Sequence, residues 1–249
     1  MLYRLHKLLS GSSPSILNKP ALPGDADANL LLKSASALER DGNLASAEEA
    51  FRKVLTISPA HPEATHRLGI LLAQRGDYLQ AEPLLHSATL LAPRNSICFI
   101  DLGNALRDQR RFEEAIVAYR SGIAIEPSAD SCFRLASALW EAAQPDAARQ
   151  AYRQAIELRP DFADAYSNLA CIEKVQGHLE ECIRNAELAL SCDPGHYIAH
   201  DTLGHALQFL GRIEEATDHY RLAISRRADY AQGYSDLGNA LGELGRFDE

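Results

Sequence analysis

No apolar run in this sequence approaches the ~18 residues of a membrane-spanning helix, so no span is expected. Basic residues are scarce: 25 Lys and Arg stand against 34 Asp and Glu, a net charge of −9. Non-specific nucleic-acid binding needs a basic footprint to replace the counterions of phosphate, and that class is excluded. The five cysteines are odd in number and lack framework spacing, which excludes a disulfide scaffold and fits free thiols in a cytoplasmic, reducing setting. No Asn-x-Ser/Thr sequon occurs, in keeping with that setting. The start, MLYRLHKLLSGSS, offers only the step Leu8-Leu9, far short of the roughly 7–15 apolar residues of a secretory signal. Phosphate loops, dinucleotide-binding glycine fingerprints and Gly-x-Ser-x-Gly elbows are missing, so no cofactor is expected.

What is present is a period. Leu followed by Gly or Ala returns about every 34 residues, at Leu68-Gly69, Leu102-Gly103, Leu135-Ala136, Leu169-Ala170, Leu203-Gly204 and Leu237-Gly238. A small-residue column keeps step (Ala47, Ala81, Ala115, Ala148, Cys182, Ala216), as does a proline column (Pro59, Pro93, Pro127, Pro160, Pro194). Units of this length cannot bury their apolar faces alone; stacking buries them and creates extended surfaces. The units parse as 28–61, 62–95, 96–128, 129–162, 163–196, 197–230 and a partial 231–249, with Asp27 as the first N-cap. The third is one residue short, and its intact Leu-to-Pro offset places the deletion in the loop after Pro127. Residues 1–27 lie outside the period. Leu2, Leu5, Leu8 and Leu9 allow a short amphipathic helix, and Pro14, Pro20 and Pro23 mark a linker.

Each unit reads as two helices. In the third, SICFIDLGNALRDQ precedes FEEAIVAYRSGIAI, with Arg110-Arg111 between; elsewhere Gly42, Gly76, Gly177, Gly211 and Gly245 supply the left-handed turn. Asn43 and Asp77 are expected N-caps, Pro145 a first-turn proline, and Pro83 a kink or a loosened turn. Phe51, Tyr119, Tyr152 and Tyr220 are expected to fill the space between units. The pairs Glu113-Glu114, Glu180-Glu181 and Glu214-Glu215 occupy one repeat position in the first turn of the second helix. They complement its dipole, which excludes an acid–base reading. Cys192, His196 and His200 are four apart, but Asp193-Pro194-Gly195 breaks any helix between them, and His178 and Cys182 fall on turn and packing positions. No catalytic or metal site is expected.

The unit resembles the tetratricopeptide repeat (TPR), with Leu-Gly, Ala, Tyr and Pro at its signature offsets. DLGNALRDQRRFEEAIVAYRSGIAIEP carries the match most closely, and the resemblance covers residues 28–249. Ser34, Cys182, Ala186 and Ala228 depart from the pattern. The resemblance implies an all-α fold, a right-handed superhelical solenoid of antiparallel helix pairs, whose first helices line a concave groove for a peptide or protein. It places positions 2, 5, 9 and 12 of each first helix in that groove: Ile97, Ile100, Asn104 and Arg107; then Asp130, Phe133, Ser137 and Trp140; then Asp164, Ser167, Cys171 and Lys174. The family's carboxylate clamp of Lys and Asn is missing, because Leu32, Ser36 and Arg67 stand there. Of the position-6 asparagine ladder found in protein O-GlcNAc transferases only Asn168 remains; Lys33, Arg67, Asp101, Arg134, Thr202 and Asp236 fill the other rungs.

Trp140 is the only tryptophan and stands between Arg107 and Lys174 in this register. Two readings are open: an anchor for a bound peptide, or a cation–π partner of one of those cations. The whole chain likewise admits two. One is a protein–protein interaction scaffold without catalytic activity of its own. The other is the substrate-recruiting arm of a larger enzyme, such as an O-GlcNAc-transferase-like glycosyltransferase, whose catalytic domain lies beyond residue 249. Leu237, Leu241, Leu244 and Phe247 are expected to lack a partner helix, which makes the C-terminal end a candidate for self-association.

Overall fold

The computed structural model describes residues 25–248, so the expected N-terminal linker and amphipathic helix lie outside the described residues up to residue 24. Among the described residues there are thirteen α-helices and no strand. First helices of successive units are α1 (Asp25–Arg40), α3 (Pro62–Gln74), α5 (Ser96–Asp108), α7 (Ala129–Glu141), α9 (Ala163–Val175), α11 (Tyr197–Phe209) and α13 (Ala231–Glu243). Second helices are α2 (Leu44–Ile57), α4 (Tyr78–Leu91), α6 (Phe112–Ile125), α8 (Pro145–Leu158), α10 (Leu179–Cys192) and α12 (Ile213–Arg226). The first helix starts at Asp25, so Asp27 lies inside its first turn instead of capping it.

One turn recurs in every unit. Three residues link first to second helix, and the middle one is left-handed: Gly42, Gly76, Gly177 and Gly211, with φ between 75° and 82°; Gly245 (φ 70°) holds the same place after α13, which no second helix follows among the described residues. In the third and fourth units Arg110 (φ 60°) and Ala143 (φ 56°) occupy the glycine's place. The hydrogen bonds explain why they comply. Ala143 N donates to the Trp140 carbonyl at 3.0 Å and Gln144 N to the Leu139 carbonyl at 2.9 Å, the double closure that a left-handed residue completes. A side chain there costs roughly 1–2 kcal/mol, which these units carry and the glycine units do not. Asn43 and Asp77 cap their helices as expected, accepting from Ser46 N and Gln80 N.

Second helices α2, α4, α6, α8 and α10 end at proline loops, while α12 ends at the loop with Ala228 in the proline's place. Between α6 and α7 the loop has three residues, Glu126–Ser128, one fewer than the Ser58–His61 loop between α2 and α3, so the deletion falls where the offsets place it. Helix α4 runs unbroken through Pro83. The amide it lacks is the one that would bond the Leu79 carbonyl, on a residue 89% exposed to water.

All six members of the small-residue column, Ala47 through Ala216, are 0% exposed. The aromatic column packs differently from expectation, within its own unit as well as between units. A Cβ on Gly103 would come within 2.7 Å of the Tyr119 ring, and one on Gly204 equally near Tyr220. The glycine is thus the seat of the ring, and Gly69 seats Leu85 the same way. The C-terminal expectation is corrected in part. Leu241 is buried at 5% exposure and Leu237 packs on the last core cluster, because α11 and α12 cover them; Phe247 is 84% exposed.

Candidate functional site

Helix α3 touches α5, α5 touches α7, α9 touches α11 and α11 touches α13, whereas no two second helices meet to a comparable extent. First helices therefore crowd together along the inner side of the stack. Their polar side chains tie one unit to the next. Arg134 donates to Asn104 Oδ1 at 3.2 Å, Cys171 Sγ lies 3.3 Å from Thr202 Oγ1, and His205 Nε2 lies 3.1 Å from Asp236 Oδ2. Each rung joins position 6 of one unit to position 9 of the unit before. His66 Nε2 and Asp101 Oδ2, 2.9 Å apart, make a variant from position 5. The position-6 column thus serves the solenoid's own register. Sequence periodicity gave the columns but not these cross-unit pairs, which depend on the rotation between units.

One stretch of the inner face leaves side chains unspent. A recess of about 190 Å³ is lined by Ser137, Trp140 and Glu141 of α7, Tyr152 of α8, and Asn168 and Cys171 of α9. Ser137, Trp140 and Cys171 are expected groove positions and Asn168 is the remaining rung of the position-6 ladder, itself an expected groove residue; Tyr152 and Glu141 are additions. A polar chain runs across the recess. Asn168 Nδ2 donates to the Tyr152 hydroxyl at 3.1 Å, that hydroxyl pairs with Ser137 Oγ at 3.1 Å, and Ser137 Oγ donates to the Phe133 carbonyl at 3.0 Å. Burial raises the Tyr152 pKa, so the hydroxyl stays protonated. A buried tyrosine demands a partner for its hydroxyl, and that was the sequence signal for its place here.

Trp140 is fixed from below and open above. Its carbonyl accepts the turn's Ala143 amide, while its side chain leaves the residue 36% exposed. Cation–ring contacts among the described residues join Arg110 to Phe112, Arg159 to Phe162 and Arg227 to Tyr197, and none involves Trp140. Arg107 turns to Asp108 Oδ1 at 3.5 Å. The ring therefore remains available to an outside group.

The other expected groove residues divide. Ile97 is 58% exposed and borders a second recess of about 460 Å³ with Glu39, His66, Arg67 and Asp101, where Arg67 is matched by Glu39 at 2.7 Å and Glu63 at 3.0 Å. Lys174 is half-buried at the end of α9. Asn104 is engaged on both ends, accepting from Tyr119 and Arg134 and donating to Asp101. Ile100 abuts Gly122, where an added Cβ would meet it at 2.8 Å. Phe133 stacks on Phe162 (4.9 Å between centroids) and edge-on to Tyr152 (5.5 Å), which makes it a packing residue outside the Trp140 recess.

The spacings set aside for catalysis and metal do not converge. His178 Nδ1 lies 2.8 Å from Glu173, not beside Cys182, whose thiol is pushed up to about 12 by burial. His196 caps α11 and reaches Asp164 at 3.1 Å, while His200 pairs with His219.

A stack of helix pairs with an inner first-helix groove defines a helical-repeat solenoid, the architecture of a protein-interaction scaffold. Models described as "Tetratricopeptide repeat" match residues 38–97, 98–128 and 199–230, and one described as "TPR repeat" matches 144–172. The chain belongs to the tetratricopeptide repeat family. It is 29% identical over 113 residues to the Small glutamine-rich tetratricopeptide repeat-containing protein 2 of Mycosarcoma maydis, covering 43% of this chain and 31% of that one. It is 30% identical over 115 residues to the human Protein O-mannosyl-transferase TMTC3, covering 45% of this chain and 13% of that one. The chain thus spans less than a third of either curated relative. Among solved structures, YrrB, described as a TPR protein with an unusual peptide-binding site, superposes with a TM-score of 0.63 at 20% identity, over 76% of this chain and 97% of that one. Pseudomonas aeruginosa PilF gives 0.72 at 14% identity, over 89% and 100%. These likenesses show the fold, a TPR solenoid.

Proposed function

We propose that the chain binds a peptide or an extended protein segment along its first-helix groove, anchored in the recess beneath Trp140. The carrying observation is that recess. There an exposed tryptophan, free of any cation, stands above a tyrosine hydroxyl whose donor, Asn168, keeps its carbonyl oxygen without a protein partner among the described residues. An apolar or aromatic ligand side chain beside Trp140, with a backbone amide given to Asn168 Oδ1, fits that chemistry. Tryptophan is among the side chains that most often carry interface energy. Glu141 at the margin and the acidic balance of the chain favour a ligand with basic flanks. YrrB, a peptide-binding protein by its description, supports the reading through its shared fold. The thiols Cys98, Cys132, Cys171, Cys182 and Cys192 are all free, which suits a cytoplasmic setting.

Selection from a displayed random-peptide library tests the proposal. Binders selected on the wild type should lose about thirtyfold or more in affinity on Trp140→Ala, the size expected of an interface anchor worth ~2 kcal/mol. Leu79→Ala, on a second helix and 89% exposed, should change nothing. Equal affinity for the wild type and Trp140→Ala would overturn it. A second reading, a recruiting arm within a larger glycosyl-transferring enzyme, draws support only from the partial match to the O-mannosyl-transferase. A nucleotide- or lipid-sugar domain encoded in the same reading frame would favour it.

A further inference from the structure

The last two first helices carry a cluster in which a second buried acid, Asp201, joins the His205–Asp236 rung. Asp201 and His205 are four apart on α11 and share one face; Asp236 on α13 comes to meet them. His205 Nε2 lies 3.1 Å from Asp236 Oδ2 and 3.7 Å from Asp201 Oδ2, and the three ligand atoms fall within 4.8 Å of one another. Both carboxylates are buried, with side chains only 6% and 7% exposed. Asp201 also keeps its other oxygen, Oδ1, buried with no hydrogen-bond partner. Two buried acids side by side with one imidazole leave a surplus of negative charge, and an orphaned buried carboxylate oxygen is costly. Both facts call for a positive ligand that the protein's own side chains do not supply.

We infer that Asp201, His205 and Asp236 form a binding site for one divalent cation of the zinc class. Zinc bonds imidazole nitrogen and carboxylate oxygen at about 2.0–2.2 Å, so tetrahedral ligands stand roughly 3.3 Å apart. The two measured edges, 3.1 and 3.7 Å, bracket that separation. An imidazole in the set favours zinc over magnesium or calcium, which take oxygen ligands in larger number. The cation takes the place of the His205–Asp236 hydrogen bond, which requires an unprotonated Nε2 with the ring proton on Nδ1.

An outer group already holds one of the acids in place. Gln232 Nε2 donates to both oxygens of Asp236, at 3.0 and 3.1 Å. Such partners fix ligand orientation at metal sites. A recess of about 410 Å³ lined by His205, Gln208, Phe209, Asp236, Asn239 and Glu243 opens beside the cluster. It gives a cation a path to His205 and Asp236.

Calorimetric titration of untagged, chelator-treated protein with Zn²⁺ tests the inference. One equivalent should bind. Asp236→Asn and His205→Gln should each weaken binding at least about tenfold, since losing even an outer partner costs 10–100-fold. Cys192→Ser, at the spacing set aside above, should leave it unchanged, and millimolar Mg²⁺ should not displace the zinc. No uptake, uptake undiminished in both variants, or displacement by Mg²⁺ would each overturn it. Circular dichroism establishes that the variants are folded; if Asp236→Asn is not, His205→Gln decides, because that side chain is 25% exposed and tolerates exchange.

Discussion

Gly103 and Gly238 occupy the same repeat position, yet the same substitution should act on them with opposite sign. A methyl group on Gly238 meets nothing within 4 Å, so Gly238→Ala brings only the helix-propensity gain of about 0.5–1 kcal/mol. On Gly103 the methyl carbon would sit 2.7 Å from both Cδ1 and Cε1 of Tyr119 and 3.1 Å from Cζ, closer than carbon atoms approach. The ring has no room to retreat, because Tyr119 is 0% exposed. Its hydroxyl is held by Asn104 Oδ1 at 2.9 Å, and Asn104 is itself tied to Arg134 of the next unit. Overpacking of this kind costs ~1–3 kcal/mol. The propensity gain is common to both variants and cancels in their difference, which should therefore equal that overpacking cost. At roughly 2–4 °C per kcal/mol for a chain of this size, Gly103→Ala should melt several degrees below Gly238→Ala. Thermal and urea unfolding followed at 222 nm, with hydrogen exchange in α5 and α13, give the comparison. Should Gly103→Ala prove as stable as Gly238→Ala, the seating of the aromatic column on its own unit's glycine is refuted.

Two further outcomes follow from the turns and the buried histidines. Ala143→Gly should raise the urea midpoint, because relief of a left-handed alanine (~1–2 kcal/mol) exceeds the added chain entropy of glycine (~0.4–1 kcal/mol); Gly177→Ala should lower it, and a shared sign would contradict the turn geometry. His200 and His219 face each other Nδ1 to Nδ1 at 3.0 Å, and burial depresses both pKa values from the ordinary 6.5. The unfolded chain therefore takes up protons first, so their stabilising contribution is complete above pH 6.5 and declines as the pH falls below it. The melting temperature should drop between pH 7.5 and 5.5, and drop less in His219→Gln; an equal drop in both would remove the pair from the account.

Local chemistry was legible in the sequence. The glycine column, the Asn43 and Asp77 caps, the short loop at Pro127 and the dipole role of the Glu pairs each depend on residues a few positions apart, and each stands where the pattern puts it. Arg110 and Ala143 could have been read as left-handed from the same column, since the turn's hydrogen bonds impose φ whatever the residue. Features that depend on the rotation between units were hidden. Phe133 shares a helical face with Ser137 and Trp140, yet Phe162 and Tyr152 draw it into packing. Asp236 lies 31 residues from His205, and only the stacking angle makes them partners. The start of α1 at Asp25 was missed because an Asp before an apolar run reads equally as a cap or as a first-turn acid that favours the helix dipole.

Because Trp140 is the only tryptophan, its emission reports on the recess and on nothing else in the protein. Titrating a selected peptide into the chain while following that emission tests the groove reading most directly. The account predicts a saturable shift or quench whose midpoint equals the dissociation constant measured by calorimetry. Full binding by calorimetry with unchanged Trp140 emission would place the ligand elsewhere and contradict it.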